Sequence, residues 1–221
     1  MFSDTCGGQN RNKFMVTAWL YVLQECPNLK VMELKFLTSG HTQMEVDSVH
    51  ASIEQRQKNL DVFIERDWYN IMWMARLKDP YKIIPMENKS FVDFKKMNKS
   101  IFNNPKVNTE GEKVNWLKIC SSKLTRDSDV VQYQYRFTDE YKDIPLVRKT
   151  TRNRSEKPVH LVATKLYEAE LTISTNKKKD LMDLCGKGLI PQEYHQYYQS
   201  LKSDDLPEMI PEIEEFISET E

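Results

Sequence analysis

Residues 1–54 constrain the fold of this chain most, because four patterns follow one another there in an order few architectures accommodate. Met1-Phe2-Ser3-Asp4 reads as the end of a strand. A polar, Gly-rich turn runs from Ser3 to Asn12, and Asn10 or Asn12 then caps a helix reaching about Cys26. Phe14, Val16, Ala18, Trp19, Val22 and Leu23 give that helix a broad apolar face, and Pro27 ends it. From Lys30 to Leu37, Met32, Leu34 and Phe36 alternate with Glu33 and Lys35, the period of a half-buried strand. Gly40 and Thr42 then turn the chain into a helix predicted from about Met44 to Arg66. A strand, helix, strand succession in one sheet demands parallel strands. The pattern therefore predicts that Asp4 and Asp47 converge at the carboxyl edge of a sheet, where open α/β sheets place their ligands.

The remaining chain is less regular. Trp68, Ile71, Met72 and Ala75 lie at helical spacing behind a capping Asp67, and the aromatic residues here and at 194–198 read as core. Tyr81 to Met86 reads as a short strand and Phe91 to Phe102 as a helix. A turn-rich loop covers Asn103 to Lys113. Strands are expected at Trp116 to Cys120, Val130 to Phe137 and His160 to Ala163. Two helices follow, at Thr175 to Leu184 and Pro191 to Leu201. A net charge of −1 gives no global pull toward nucleic acid. Locally, Arg148, Lys149, Arg152, Arg154 and Lys157 oppose a single Glu156, whereas Asp204 to Glu221 carries eight acidic residues and no basic one. Such blocks are ordinarily solvated; a nucleic-acid contact is the sharper reading of the first. The four cysteines form no CxxC pair, which points to reduced thiols in an intracellular (nuclear or cytoplasmic) protein. No apolar run suffices for a membrane span, and the N-terminal residues show no basic region followed by an apolar core, so no secretory signal is visible in them.

Two polar clusters carry the candidate chemistry. Asp4 and Asp47 are either turn and helix caps, or ligands of Mg²⁺ or Mn²⁺ able to support phosphodiester chemistry. Asp47, His50 and Glu54 are spaced i, i+3, i+7 and so share a helical face. His50 and Glu54 bond to each other, or His50 supports the metal ligands or meets phosphate. Zinc on His41 and His50 is a further reading, although the spacing is not HExxH. The turn at Cys6-Gly7-Gly8-Gln9-Asn10 is structural, or offers helix N-terminal N–H groups to phosphate.

The segments Ser-Asp-Thr-Cys-Gly-Gly-Gln-Asn (3–10) and Gly-His-Thr-Gln-Met-Glu-Val-Asp-Ser-Val-His-Ala-Ser-Ile-Glu (40–54) resemble the patterns SDxCxGQN and GHTxxxxDxxHxxIE. These belong to a transposon-derived family of unknown function, DUF7869, which looks like a divergent ribonuclease-H-like DDE transposase or integrase core. The resemblance is close over residues 3–54 and weaker to about 201. It implies an α/β fold: an incomplete ribonuclease-H-like core (β-α-β-α) over 1–102, an α+β C-terminal extension over 103–203, and an acidic tail over 204–221. It implies that Asp4 is the second acid and Asp47 the third, with His41, His50, Glu54, Gln9 and Asn10 in support. The first acid would lie upstream of Met1, so the chain would be an N-terminally truncated, inactive piece of a longer protein. Missing strands would leave an exposed sheet edge open to self-association. The resulting expectation is a nuclease-like domain acting on DNA. The alternative is a non-catalytic module binding nucleic acid through Arg148, Lys149, Arg152 and Arg154, or binding protein.

Overall fold

The computed structural model describes residues 1–38, 40, 43–102, 104–146, 148–150, 156–158 and 160–204. Along the chain run β1 (Phe2–Ser3), α1 (Lys13–Glu25), β2 (Val31–Phe36), α2 (Glu45–Gln57), α3 (Glu65–Met74) and α4 (Phe94–Ile101). Then come β3 (Ser121–Thr125), β4 (Val130–Gln134), β5 (Lys142–Pro145), β6 (Arg148–Thr150), β7 (Glu156–Pro158) and β8 (Ile173–Ser174), followed by α5 (Thr175–Gly186), α6 (His195–Ser200) and β9 (Ser203–Asp204). The fold is mixed α/β. Its described residues form two units, one from 1–42 and 91–166, the other from 43–90 and 167–204.

The first unit is built on a five-stranded mixed sheet in the order β1-β2-β3-β4-β5. β1 and β2 are parallel, in the register Phe2↔Lys35 and Ser3↔Phe36, as the strand-helix-strand pattern requires. The other three pairings are antiparallel. Asn12 caps α1, its Oδ1 accepting from the Phe14 and Met15 N–H groups at 2.9 Å each. Val16 and Leu23 of α1 then meet Leu34 and Phe36 of β2 and Leu124, Val131, Tyr133 and Ile144 of the antiparallel strands in one buried cluster. α4 packs on α1, and Asn98 Nδ2 donates to the fully buried Thr17 Oγ1 at 2.8 Å. The C-terminal end of α1 is held by Arg126, in the turn between β3 and β4. Its guanidinium donates to the carbonyls of Gln24, Cys26 and Leu29.

The second unit has a smaller core of Cys185, Ile190 and Tyr198, with Phe63, Leu181 and Tyr194 against it. The Tyr198 hydroxyl donates to the Phe63 carbonyl. β8 and β9 form a short parallel pair here, and the Ser52 and Tyr81 hydroxyls meet at 2.9 Å.

Several expectations are corrected. The helix expected from Met44 to Arg66 ends at Gln57, and the next helix starts at Glu65, two residues ahead of Asp67, whose Oδ2 accepts from the Phe63 and Ile64 N–H groups. Residues Tyr81–Met86 form no strand; Pro80 and Pro85 remove two ladder donors around them. Trp116–Lys118 is a 3₁₀ turn capped by Asn115, and the strand begins only at Ser121. His160–Ala163 is no strand either; there Gln24 exchanges two hydrogen bonds with the Leu161 backbone, at 2.9 and 2.7 Å. Trp68, Trp73 and Tyr197 are exposed, not core, while Tyr198 is buried. The acidic stretch beyond Asp204 lies outside the described residues.

Candidate functional site

The loop from Asp4 to Asn12 is knitted by its own polar groups. Asp4 directly follows β1, and its Oδ1 accepts from Cys6 N–H at 3.2 Å and from Asn10 Nδ2 at 2.5 Å. The Cys6 carbonyl accepts from the N–H groups of Gln9, Asn10 and Arg11. Asn12 Nδ2 closes onto the Gly7 carbonyl at 3.0 Å while its Oδ1 caps α1. The backbone donors that a phosphate would use at this helix start are therefore engaged, which favours the structural reading of the Cys6–Asn10 turn. A Cβ at Gly7 would lie 2.4 Å from Leu117 Cδ2, so a side chain there would displace the exposed Leu117 side chain. Asp4 remains half-buried, and among the described residues its Oδ2 has no protein donor.

Asp47 belongs to the second unit. It sits in the first turn of α2, exposed, and its Oδ2 accepts from Met44 N–H at 2.7 Å. His50 and Glu54 follow on the same helix and are exposed, and α2 has no buried residue. His41 lies outside the described residues, as do Arg152 and Arg154. Arg148 and Lys149 lie in β6, which pairs with β7 so that Lys149 stands across from Lys157 and Arg148 from Pro158. Among the described residues no three His, Cys, Asp or Glu side chains gather as metal ligands.

Sequence patterns did not reveal a pocket of about 160 Å³ beside the Gly7–Asn12 loop. Four cations line it, Arg11, Lys13, Lys106 and Lys113, and no carboxylate does. Its apolar wall is Phe14, Val114, Trp116 and Leu117. The Trp116 indole N–H donates to the Pro105 carbonyl at 2.8 Å, and the ring meets Phe102 edge-on, so the wall is fixed in place. Arg11 donates to the Leu117 carbonyl and lies over the Phe36 ring, 5.4 Å from its centre. Burial lowers the pKa of Arg11 below the usual arginine range, with Cys120 opposing that effect, and Arg11 Nε is buried without a partner. The signal for this pocket was a repeated tripeptide, Lys-Val-Asn at 106–108 and again at 113–115. Val107 bridges to Lys113, and Val114 N–H donates to the Lys106 carbonyl, which brings both lysines to one rim.

A further charged group lies on the sheet. Glu33 Oε1 accepts from the Tyr141 hydroxyl at 2.9 Å and from Ser121 at 3.3 Å, with Lys35 Nζ at 3.4 Å. Desolvation acts to raise the Glu33 pKa, but these hydrogen bonds and Lys35 outweigh it and hold the carboxyl below its usual range.

Fold and site together define a mixed α/β protein with a polar, cation-rich loop at the carboxyl end of an edge strand. No family model, curated protein or solved structure matches the chain. Among the described residues no helix is long and apolar enough to cross a membrane.

Proposed function

We propose that this chain is a transposase-derived, nuclease-like domain whose family chemistry is metal-dependent attack on a phosphodiester. The observation that carries the reading is the position of Asp4. It follows the carboxyl end of β1, β1 and β2 are parallel, and the Asp4 side chain is oriented by Cys6 and Asn10. Asp4 and Asp47 are the proposed ligands of Mg²⁺ or Mn²⁺, with His50, Glu54 and His41 in support. Such an ion, when bound, would stabilise the oxygens of an in-line displacement. Asn10 fixes the Asp4 carboxylate, and Met44 N–H fixes that of Asp47. Two carboxylates make a sparse set for a two-metal centre, so the chain assayed alone is expected to bind metal without turnover.

Calorimetric titration with Mn²⁺ tests this reading. Wild-type binding that an Asp4→Asn, Asp47→Asn double variant loses is the expected result. Equal binding by a folded double variant, or none by the wild type, contradicts it. A second reading, a non-catalytic nucleic-acid module, is favoured by the β6–β7 register. That register sets the backbone of Lys149 opposite that of Lys157, so basic positions of the 148–157 segment gather on one two-stranded ribbon.

A further inference from the structure

We infer that the pocket between the Gly7–Asn12 loop and the 106–117 segment takes one unstacked nucleotide of a single-stranded nucleic acid: its base against Trp116, Phe14 and Leu117, its phosphates on Lys106 and Lys113. This rests on the reading of the chain as a protein that acts on nucleic acid, and it names the form of strand recognised.

Charge is the first argument. Four cations and no carboxylate line the pocket. The nearest acids of the intervening loop, Glu110 and Glu112, are drawn instead to Lys142, which does not line it. Lys106 and Lys113 are both exposed and, among the described residues, make no ion pair. The site is therefore set for an anion.

Shape is the second argument. A pocket of about 160 Å³ is small beside the roughly 300–1,000 Å³ of sites that enclose a whole drug-sized ligand, and it suits a single ring system with its charged part outside. Aromatic and apolar walls beneath a cationic rim are the two components by which single strands are held, through base stacking and backbone electrostatics. A duplex would present only phosphates, since its bases are stacked and cannot enter a concave slot. At the helix start the Phe14 and Met15 N–H groups are already taken, because Asn12 accepts from both. Recognition therefore falls to side chains.

The test is fluorescence anisotropy with labelled single-stranded oligonucleotides, the matching duplex, and a mononucleotide as competitor, at graded salt and in EDTA. The wild type is expected to bind single strands at least ten-fold more tightly than duplex, with the mononucleotide a weak competitor. Lys106→Ala, Lys113→Ala together should weaken binding and flatten the plot of log K against log salt by about 1.4, near 0.7 for each phosphate no longer neutralised. Both residues are exposed, so the double variant should keep the wild-type circular dichroism. An unchanged affinity and salt slope in that variant overturns the proposal. So does duplex bound as well as single strand, or mononucleotide bound as well as oligonucleotide. EDTA separates this result from the metal reading: strand binding that fails while Mn²⁺ binding holds removes only the pocket, and the reverse removes only the metal site.

Discussion

Individual side chains in the first polar loop each hold something, and their removal should be measurable. Asn12 was legible as a helix cap because a short polar residue directly precedes an apolar periodic run. In the fold it does more, closing the loop onto Gly7 as well as capping α1. Asn12→Ala should lower stability by about 1–2 kcal/mol, read as a lower urea midpoint with an unchanged slope. Asp4 was equally visible as a carboxylate behind a strand. Its partners Cys6 and Asn10 were not, because hydrogen bonds within a turn leave no periodic trace. Glu33 looked like an ordinary outward residue of an alternating strand, since its partners Tyr141 and Ser121 are remote in sequence. Its folded pKa lies below the ordinary 4.5, so its stabilising contribution is complete above that pH and is lost as pH falls through the lower, folded value. Glu33→Gln should accordingly be less sensitive than wild type to acid below pH 4.5, measured by thermal unfolding across that range.

Elements with a strong local signature were legible, and those defined by distant partners were not. α1 and β2 emerged from periodicity and from Pro27. The capping role of Asp67 was legible, but the end of α2 at Gln57 was hidden because Leu60 and Phe63 continue the apolar pattern of Val46, Val49 and Ile53. Trp116 to Cys120 has strand composition, yet the Asn115 Oδ1 accepts from Leu117 N–H and tightens the segment into a 3₁₀ turn. β5 was missed because Lys142-Asp143-Ile144-Pro145 does not look like a strand; only its register with Val130 to Tyr133 makes it one. Arg126 links elements that no pattern connects, gathering the carbonyls at the end of α1. Replacing it with Met, which keeps much of the aliphatic stem, should cost about 1.5–3 kcal/mol, the range for hydrogen bonds to a charged group. Chemical denaturation checks this, and a loss below about half a kcal/mol, less than a typical net hydrogen bond, would show that the clamp is idle.

At the scale of the molecule, the described residues form two units assembled from interleaved segments of chain. Interleaving is set by long-range packing and has no local signal. The units differ in how much they bury: fourteen core side chains in the cluster around the sheet, against three around Cys185, Ile190 and Tyr198. Hydrogen exchange should therefore protect the amides of β3 and β4 well beyond those of α5 and α6. Equal protection would indicate one cooperative body. The parallel β1–β2 pair and the carboxylate behind it followed from the order of strand, helix and strand, whereas the cationic pocket needed the distant 106–117 segment to be folded against the loop. The central claim is that the Asp4 carboxylate behind β1 is a metal ligand. Paramagnetic broadening by Mn²⁺ in an NMR spectrum of the labelled chain tests it most directly. Broadening of the amides around Asp4, abolished by Asp4→Asn, is the result expected. No broadening near Asp4, or broadening there that the folded Asp4→Asn variant keeps, would contradict it.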